Sequence, residues 1–252
     1  MTFHCHRCKQ PMTPRGECGC KDGICLVCGD CREVLPVLEE GCGDAVVTDP
    51  PYGIVNQFGE QVRGKGKGTR KLQFAWDSSE AVGEAVGEAV GRCKQPAAAI
   101  CFCGLDTVAP VQAALRKHKM IPKPLAWVKT CPVPPMKGNW WPSGFELGIY
   151  AYHRGAWFGD DDAKRCNVFL SDSLRHGNPN KNGHPTQKPI GLIQRLVKGV
   201  CRLGGMALDP FAGSGTTGRA CKDLGRRCLM IEIEERYCDI AARRLKQEVL
   251  FT

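Results

Sequence analysis

No apolar run in the 252-residue chain approaches the roughly 20 residues that a membrane-spanning helix requires. No apolar stretch follows Met1-Thr2-Phe3-His4, so no secretory signal is expected. Together these absences point to a cytoplasmic protein with no membrane partner. Acidic residues are in deficit, 26 against 35 Lys and Arg, for a formal charge of +9, which favours a polyanionic partner. The glycine-rich stretch near residue 213 is not followed by Gly-Lys-Ser/Thr, which excludes a nucleoside-triphosphate P-loop.

Cysteine, by contrast, is abundant: 17 residues, of which Cys5, Cys8, Cys18, Cys20, Cys25 and Cys28 crowd into the first thirty positions. In a reducing compartment these are metal ligands or small core residues rather than disulfides. Cys5-His-Arg-Cys8 is a C-x2-C knuckle and Cys18-Gly-Cys20 a C-x-C pair, and four thiolates from two such pairs suit tetrahedral zinc. A second set, Cys5, Cys8, Cys25 and Cys28, also has zinc spacing. The first set is preferred, because Ile24 to Cys28 reads as a strand, and a strand cannot wrap an ion; His4 and His6 are spare ligands. The expected organisation is a zinc-binding element over 1–23, too short for a core of its own, and one large α/β domain over 24–252. A hydrophobic content of 42% supports that core.

Three further stretches carry chemistry. Val46-Val47-Thr48-Asp49-Pro50-Pro51-Tyr52-Gly53 is a buried strand run into a carboxylate and stopped by two prolines, which cannot donate to a sheet ladder. In open α/β sheets ligands bind at that carboxyl edge. Leu208-Asp209-Pro210-Phe211-Ala212-Gly213-Ser214-Gly215-Thr216 is a second strand leading into a glycine turn and a helix, where backbone can approach a ligand and free N–H groups are on offer. The next strand, Cys228 to Ile231, ends in Glu232, placed either to grip ribose hydroxyls or to stand as a solvated charge. Between them lies Gly183-His184-Pro185-Thr186-Gln187-Lys188-Pro189, before a helix with Ile190, Ile193, Leu196, Val197 and Val200 at helical spacing. The repeat AVGEAVGEAVGR at 81–92 reads as a packed helix with a face of small residues and no chemistry.

The D-P-P-Y tetrad, H-P-T-Q-K-P and F-A-G-S-G, in that order, resemble the amino-group DNA methyltransferases of the adenine-N6/cytosine-N4 family in its β-type motif order. The resemblance covers roughly residues 24–247. It implies a Rossmann-like class I methyltransferase sheet with helices on both faces, S-adenosylmethionine as cofactor and double-stranded DNA as partner. Asp49 and the Pro50 carbonyl would accept hydrogen bonds from the exocyclic amine, Pro51 would stiffen the site, and Tyr52 would stack on a base flipped out of the duplex. Asp30, Cys31, His184, Thr186, Lys188, Asp209, Phe211, Gly213, Ser214, Gly215, Thr216 and Glu232 would line the cofactor. Lys188 would pair with its carboxylate, and Asp30 would read its adenine.

The basic stretch within 54–80, with Arg63, Lys65, Lys67, Arg70 and Lys71 spaced by glycines, is either a phosphate-binding loop or a plain surface loop. Residues 131–183, rich in Pro, Gly, Asn and Trp, are expected to carry target recognition, with Trp140 or Trp141 packed against Phe145 and Tyr150. Attack at a cytosine ring carbon is excluded, since no suitable Pro-Cys pair exists. Adenine leads cytosine N4 because Asp rather than Ser stands at 49. The rival from another class is a zinc-bearing DNA-binding protein on an inactive methylase fold. A homodimer and a cognate restriction endonuclease are further partners the resemblance allows.

Overall fold

The computed structural model describes residues 2–52, 78–132, 141, 143–159, 166–172 and 187–247. Gly53, the five cations of the basic stretch (Arg63, Lys65, Lys67, Arg70, Lys71), Trp140, His184 and Thr186 lie outside the described residues.

Eight strands form one sheet among the described residues. They are β1 (Ile24–Cys28), β2 (Gly43–Thr48), β3 (Cys93–Cys103), β4 (Ile121–Lys129), β5 (Phe145–Tyr152), β6 (Val168–Ser171), β7 (Met206–Asp209) and β8 (Arg227–Glu232). Their order is β1-β8-β7-β2-β3-β5-β4-β6. All pairings are parallel except those of β5, which runs antiparallel between β3 and β4. The parallel strands β7 and β2 lead on to opposite sides, β7 to β8 and β2 to β3, and the crevice above such a switch point is where an α/β sheet binds ligands.

Helices cover both faces, because the parallel strands are apolar on both sides. Cys25, Val27 and Val46 pack with Val82, Val86 and Leu115 on one face. Ile24, Leu26, Ala45 and Val47 pack with Leu192, Leu196, Cys221, Cys238 and Leu245 on the other. The first face is covered by α2 (Ser79–Gly91) and α3 (Leu105–Lys117), the second by α4 (Ile190–Val200), α5 (Thr216–Asp223) and α6 (Glu235–Lys246). The glycine repeat of α2 is the seam between α2 and α3: a Cβ at Gly83 would lie 2.9 Å from the Pro110 backbone, and one at Gly87 3.3 Å from Ala114.

Within 131–183, the segment expected to carry target recognition, the chain contributes β5 and β6 to the sheet, and β5 is an interior strand. The alternation in Phe145-Glu146-Leu147-Gly148-Ile149-Tyr150-Ala151-Tyr152 is a strand signal, masked by the Pro and Gly residues before it. Of the two tryptophans, Trp141 is 89% exposed and so is not the packed ring, and Phe145 is 59% exposed.

The amino-terminal segment is laid against the sheet edge. Cys5 bridges Val27 of the edge strand β1, and the His6 N–H donates to the Leu26 carbonyl at 2.6 Å. Arg7 clamps Asp22 through two bonds of 2.8 and 2.7 Å and also donates to the Ile24 carbonyl. A bare strand edge invites pairing with another chain, and this segment covers part of it.

Candidate active site

Four neighbouring parallel strands, β1, β8, β7 and β2, present their carboxyl ends at one rim, about 4.8 Å apart from strand to strand. Hydrogen bonds join the ends in sequence. The Thr48 hydroxyl donates to Asp209 Oδ1 at 2.7 Å, linking β2 to β7. The Phe211 N–H donates to the same oxygen at 3.2 Å and starts the glycine turn. The Gly213 N–H donates to Glu232 Oε2 at 2.8 Å, linking that turn to β8, and the Glu234 N–H donates to Glu232 Oε1 at 2.9 Å. The Gly29 N–H donates to the Glu232 carbonyl at 2.9 Å, linking β8 to β1.

The turn has the shape its glycines allow. Gly213 and Gly215 have φ of +49° and +73°. A Cβ on Gly215 would also lie 2.8 Å from that of Ala241, so α5 starts only because the residue is glycine. Ser214 and Thr216 share a hydroxyl contact of 3.1 Å, and Arg244 donates to Thr216 Oγ1 at 2.8 Å.

The residues expected to line the cofactor differ in placement. Asp30 caps the short helix α1 (Cys31–Val34) through the Arg32 N–H and pairs with the Arg32 guanidinium, which holds its carboxyl below the usual range. Cys31 is a core residue beside Val34 and Leu35, and burial pushes its thiol up to about 12. Asp209 is 2% exposed and its contacts are internal, so it shapes the turn from behind. Burial raises its carboxyl to about 6, with the Thr217, Thr48 and Phe211 donors opposing the rise. Burial also raises Glu232, against the two backbone N–H groups that favour its charge.

Beyond β2 lies a knot of charge. Pro50 is buried, and Tyr52 packs so closely on Gly104 that a Cβ there would meet Tyr52 Cβ at 2.8 Å. The Tyr52 hydroxyl lies 2.9 Å from Asp49 Oδ1 and 3.0 Å from Glu146 Oε2. Lys188 is 5% exposed, and its ammonium contacts Asp49 Oδ2 at 2.5 Å, the Tyr52 oxygen at 3.0 Å and Glu146 Oε2 at 3.1 Å. It also sits over the rings of Phe102 and Tyr52, at 4.8 and 5.2 Å. Lys129 pairs with Glu146 Oε1 at 2.9 Å. Burial penalises the Lys188 ammonium, and the Asp49 and Glu146 carboxylates outweigh that penalty and raise its pKa. Burial raises Asp49, with Lys188 opposing. Glu146 is held below the carboxylate norm because Lys188 and Lys129 override its burial. Lys188, expected to pair with a cofactor carboxylate, holds protein carboxylates here, with Asp49 nearest.

Glu146 and Lys129 were missed in the sequence. Their only signal is a charge within β5 and one at the end of β4, and they are two positions apart in register, since Glu146 is opposite Trp127.

At the β1 edge of the sheet the Sγ atoms of Cys5, Cys8, Cys18 and Cys20 all lie within 4.8 Å of one another. The Cys5–Cys20 separation of 3.8 Å equals the edge, about 3.8 Å, of a tetrahedron with Zn–S bonds near 2.3 Å. The competing set is ruled out by strand alternation. Cys25 faces the α2/α3 side, whereas Cys28 packs on the opposite side, where it contacts Cys238.

The model of a family described as DNA methylase, N6_N4_Mtase, matches residues 44–243. The type II methyltransferase M2.DpnII of Streptococcus pneumoniae is 27% identical over 90% of this chain and 91% of its own length. The crystal structure of an M1.HpyAVI–SAM complex superposes with a TM-score of 0.71 at 23% identity, covering 89% of this chain and all of that one. The cytosine-N4-specific PvuII DNA methyltransferase gives 0.65 at 15% identity over 91% and 88%. No helix among the described residues is long and apolar enough to cross a membrane.

Proposed function

The chain belongs to the N6_N4 family of DNA methylases, and from that premise we propose that it transfers a methyl group from S-adenosylmethionine to N6 of adenine in duplex DNA. The observation that carries this reading is the Thr48–Asp209 bond, which fastens the strand ending in Asp49 to the strand opening the glycine turn. Acceptor and cofactor turn thereby share one rim. The cofactor supplies an electrophilic methyl group on a sulfonium. Glu232, set at the end of β8 beside Gly213, is placed for the ribose, Asp30 for the adenine, and Phe211, Gly213, Ser214, Gly215 and Thr216 for the remainder.

An exocyclic amine conjugated with its ring is a weak nucleophile. Asp49, half-buried and raised in pKa, accepts one N–H, and the Pro50 carbonyl accepts the other, so that the nitrogen lone pair is freed. Pro50 and Pro51 fix the backbone torsions at which this happens. The Tyr52 ring, against Gly104, offers a stacking face for a base taken out of the helix. An aspartate at 49 supports adenine over cytosine N4. The basic stretch with Arg63, Lys65, Lys67, Arg70 and Lys71 follows Tyr52 in the chain and is suited to backbone phosphates. Within the same proposal, one zinc ion is held by Cys5, Cys8, Cys18 and Cys20 as a structural site.

Incubation of the wild-type and Asp49→Ala proteins with labelled S-adenosylmethionine and methylation-free plasmid DNA, followed by nucleoside analysis, tests the reading. N6-methyladenine from wild type alone is expected. N4-methylcytosine would overturn the adenine assignment, and unchanged incorporation by Asp49→Ala would overturn the role of the carboxylate.

A further inference from the structure

Two acceptors and one ammonium meet at the site of transfer, and they cannot all keep their partners when a substrate amine arrives. Lys188 Nζ already contacts Asp49 Oδ2, the atom an incoming N–H would seek. Nζ is also 5.2 Å from the centroid of the Tyr52 ring, the face offered to the base. An ammonium in that seat excludes the amine. Moving it into an apolar setting without a counter-charge is costly, so it needs a second anion within reach.

Glu146 meets that need. Its Oε2 is 3.1 Å from the same nitrogen, and its other oxygen is anchored by Lys129. Both lysines hold it below the carboxylate norm, so it remains an anion under conditions that protonate Asp49 more readily. Asp49, Glu146, Lys188 and Lys129 form a balanced set of two charges of each sign, with the Tyr52 hydroxyl between the carboxylates. That hydroxyl has one proton for two acceptors, Asp49 at 2.9 Å and Glu146 at 3.0 Å, so it too can change partner without leaving its place.

We infer that Glu146 is a positioning residue for methyl transfer: it is the second seat of the Lys188 ammonium, which leaves Asp49 when the substrate amine arrives. This rests on the adenine-methylation reading and deepens it. Glu146 touches neither reacting atom. It acts through Lys188, keeping that side chain charged and clear of the acceptor.

A kinetic cycle distinguishes this role from a structural one. Single-turnover methylation of methylation-free plasmid DNA is measured for wild type, Glu146→Gln, Lys188→Met and the double variant, with cofactor affinity by calorimetry beside each. Glu146→Gln strands the ammonium on Asp49 and is expected to lower the rate at saturating DNA and cofactor by about tenfold or more, on the scale of breaking one partner of a buried pair. Its cofactor affinity is expected to stay within about twofold of wild type. Glu146→Asp, which keeps the charge, retains most of the rate. The decisive sign is that Lys188→Met lowers the rate in the wild-type background and raises it in the Glu146→Gln background. Equal losses in both backgrounds, or a Glu146→Gln rate equal to wild type, would overturn the inference. If Glu146→Gln does not fold, the cycle is run on Glu146→Asp, where a weaker hold on Lys188 requires the same sign of coupling. Failure of the adenine reading appears separately, as absence of N6-methyladenine from wild type.

Discussion

The Thr48 hydroxyl donates to Asp209 across 2.7 Å, between residues 161 apart in sequence. Both side chains are 2% exposed, so neither has water as an alternative partner. Thr48→Val keeps the shape and removes the donor, leaving a buried carboxylate short of one bond. The expected loss is about 1–3 kcal/mol in chemical denaturation, together with weaker cofactor binding by calorimetry. A variant as stable and as tight as wild type would show that the two strand ends are held by packing alone.

Asp209 gives a pH dependence of definite sign. Burial raises its folded pKa to about 6, above the ordinary value of 3.8. The native state therefore binds the proton more tightly, and this contribution is fully present below about pH 4 and lost as pH rises through about 6. Asp209→Asn retains an acceptor for Thr48 and Phe211 and carries no charge to desolvate. Denaturation curves from pH 4 to 8 are expected to show the wild type losing up to roughly 3 kcal/mol from this group, and the variant losing less. Parallel curves would contradict the assignment.

The glycines of α2 and α4 look alike in sequence and are expected to behave oppositely. A Cβ at Gly83 would lie 2.9 Å from the Pro110 backbone, whereas one at Gly199 meets nothing within 4 Å. Gly199→Ala is expected to stabilise by about 0.5–1 kcal/mol through helix propensity. Gly83→Ala is expected to destabilise by about 1–3 kcal/mol, because α2 and α3 must separate. Melting temperatures of the two variants decide the matter.

Metal content tests the thiolate cluster. About one zinc per chain is expected by elemental analysis, falling to near zero for Cys8→Ser. Because Cys5 bridges Val27 and His6 donates to the Leu26 carbonyl, loss of the ion should expose the edge of β1. Hydrogen exchange at residues 24–28 is the readout. A metal-free protein with wild-type protection there would remove zinc from the account.

Much of this architecture was legible before any coordinates. The strands at 24–28, 43–48, 206–209 and 227–232, and the helices after 189, 215 and 234, follow from apolar runs bounded by Gly, Pro and Asp. The convergence of the cysteine quartet followed from spacing, since C-x2-C and C-x-C pairs bring four thiols together with little help from the rest of the chain. β5 was not legible, because its alternation is short and bracketed by turn residues, and its place between β3 and β4 depends on pairings with both. Which ring of the Trp140–Trp141 pair would pack was not legible either: an aromatic side chain signals burial only when a partner surface exists, and Trp141 is 89% exposed.

The sequence by itself determined at which ends of which strands the candidate residues fall, because strand termination by proline and helix initiation by glycine are local events. Only the tertiary structure decided who faces whom. That Lys188 meets Asp49, that Glu146 stands behind both, and that Asp209 is sealed against Thr48 depend on strand order and register, which are set by the packing of two apolar faces over the whole sheet. Polar groups brought together by that packing, at separations of 94 to 161 residues, leave no periodicity in the chain from which their pairing could be read.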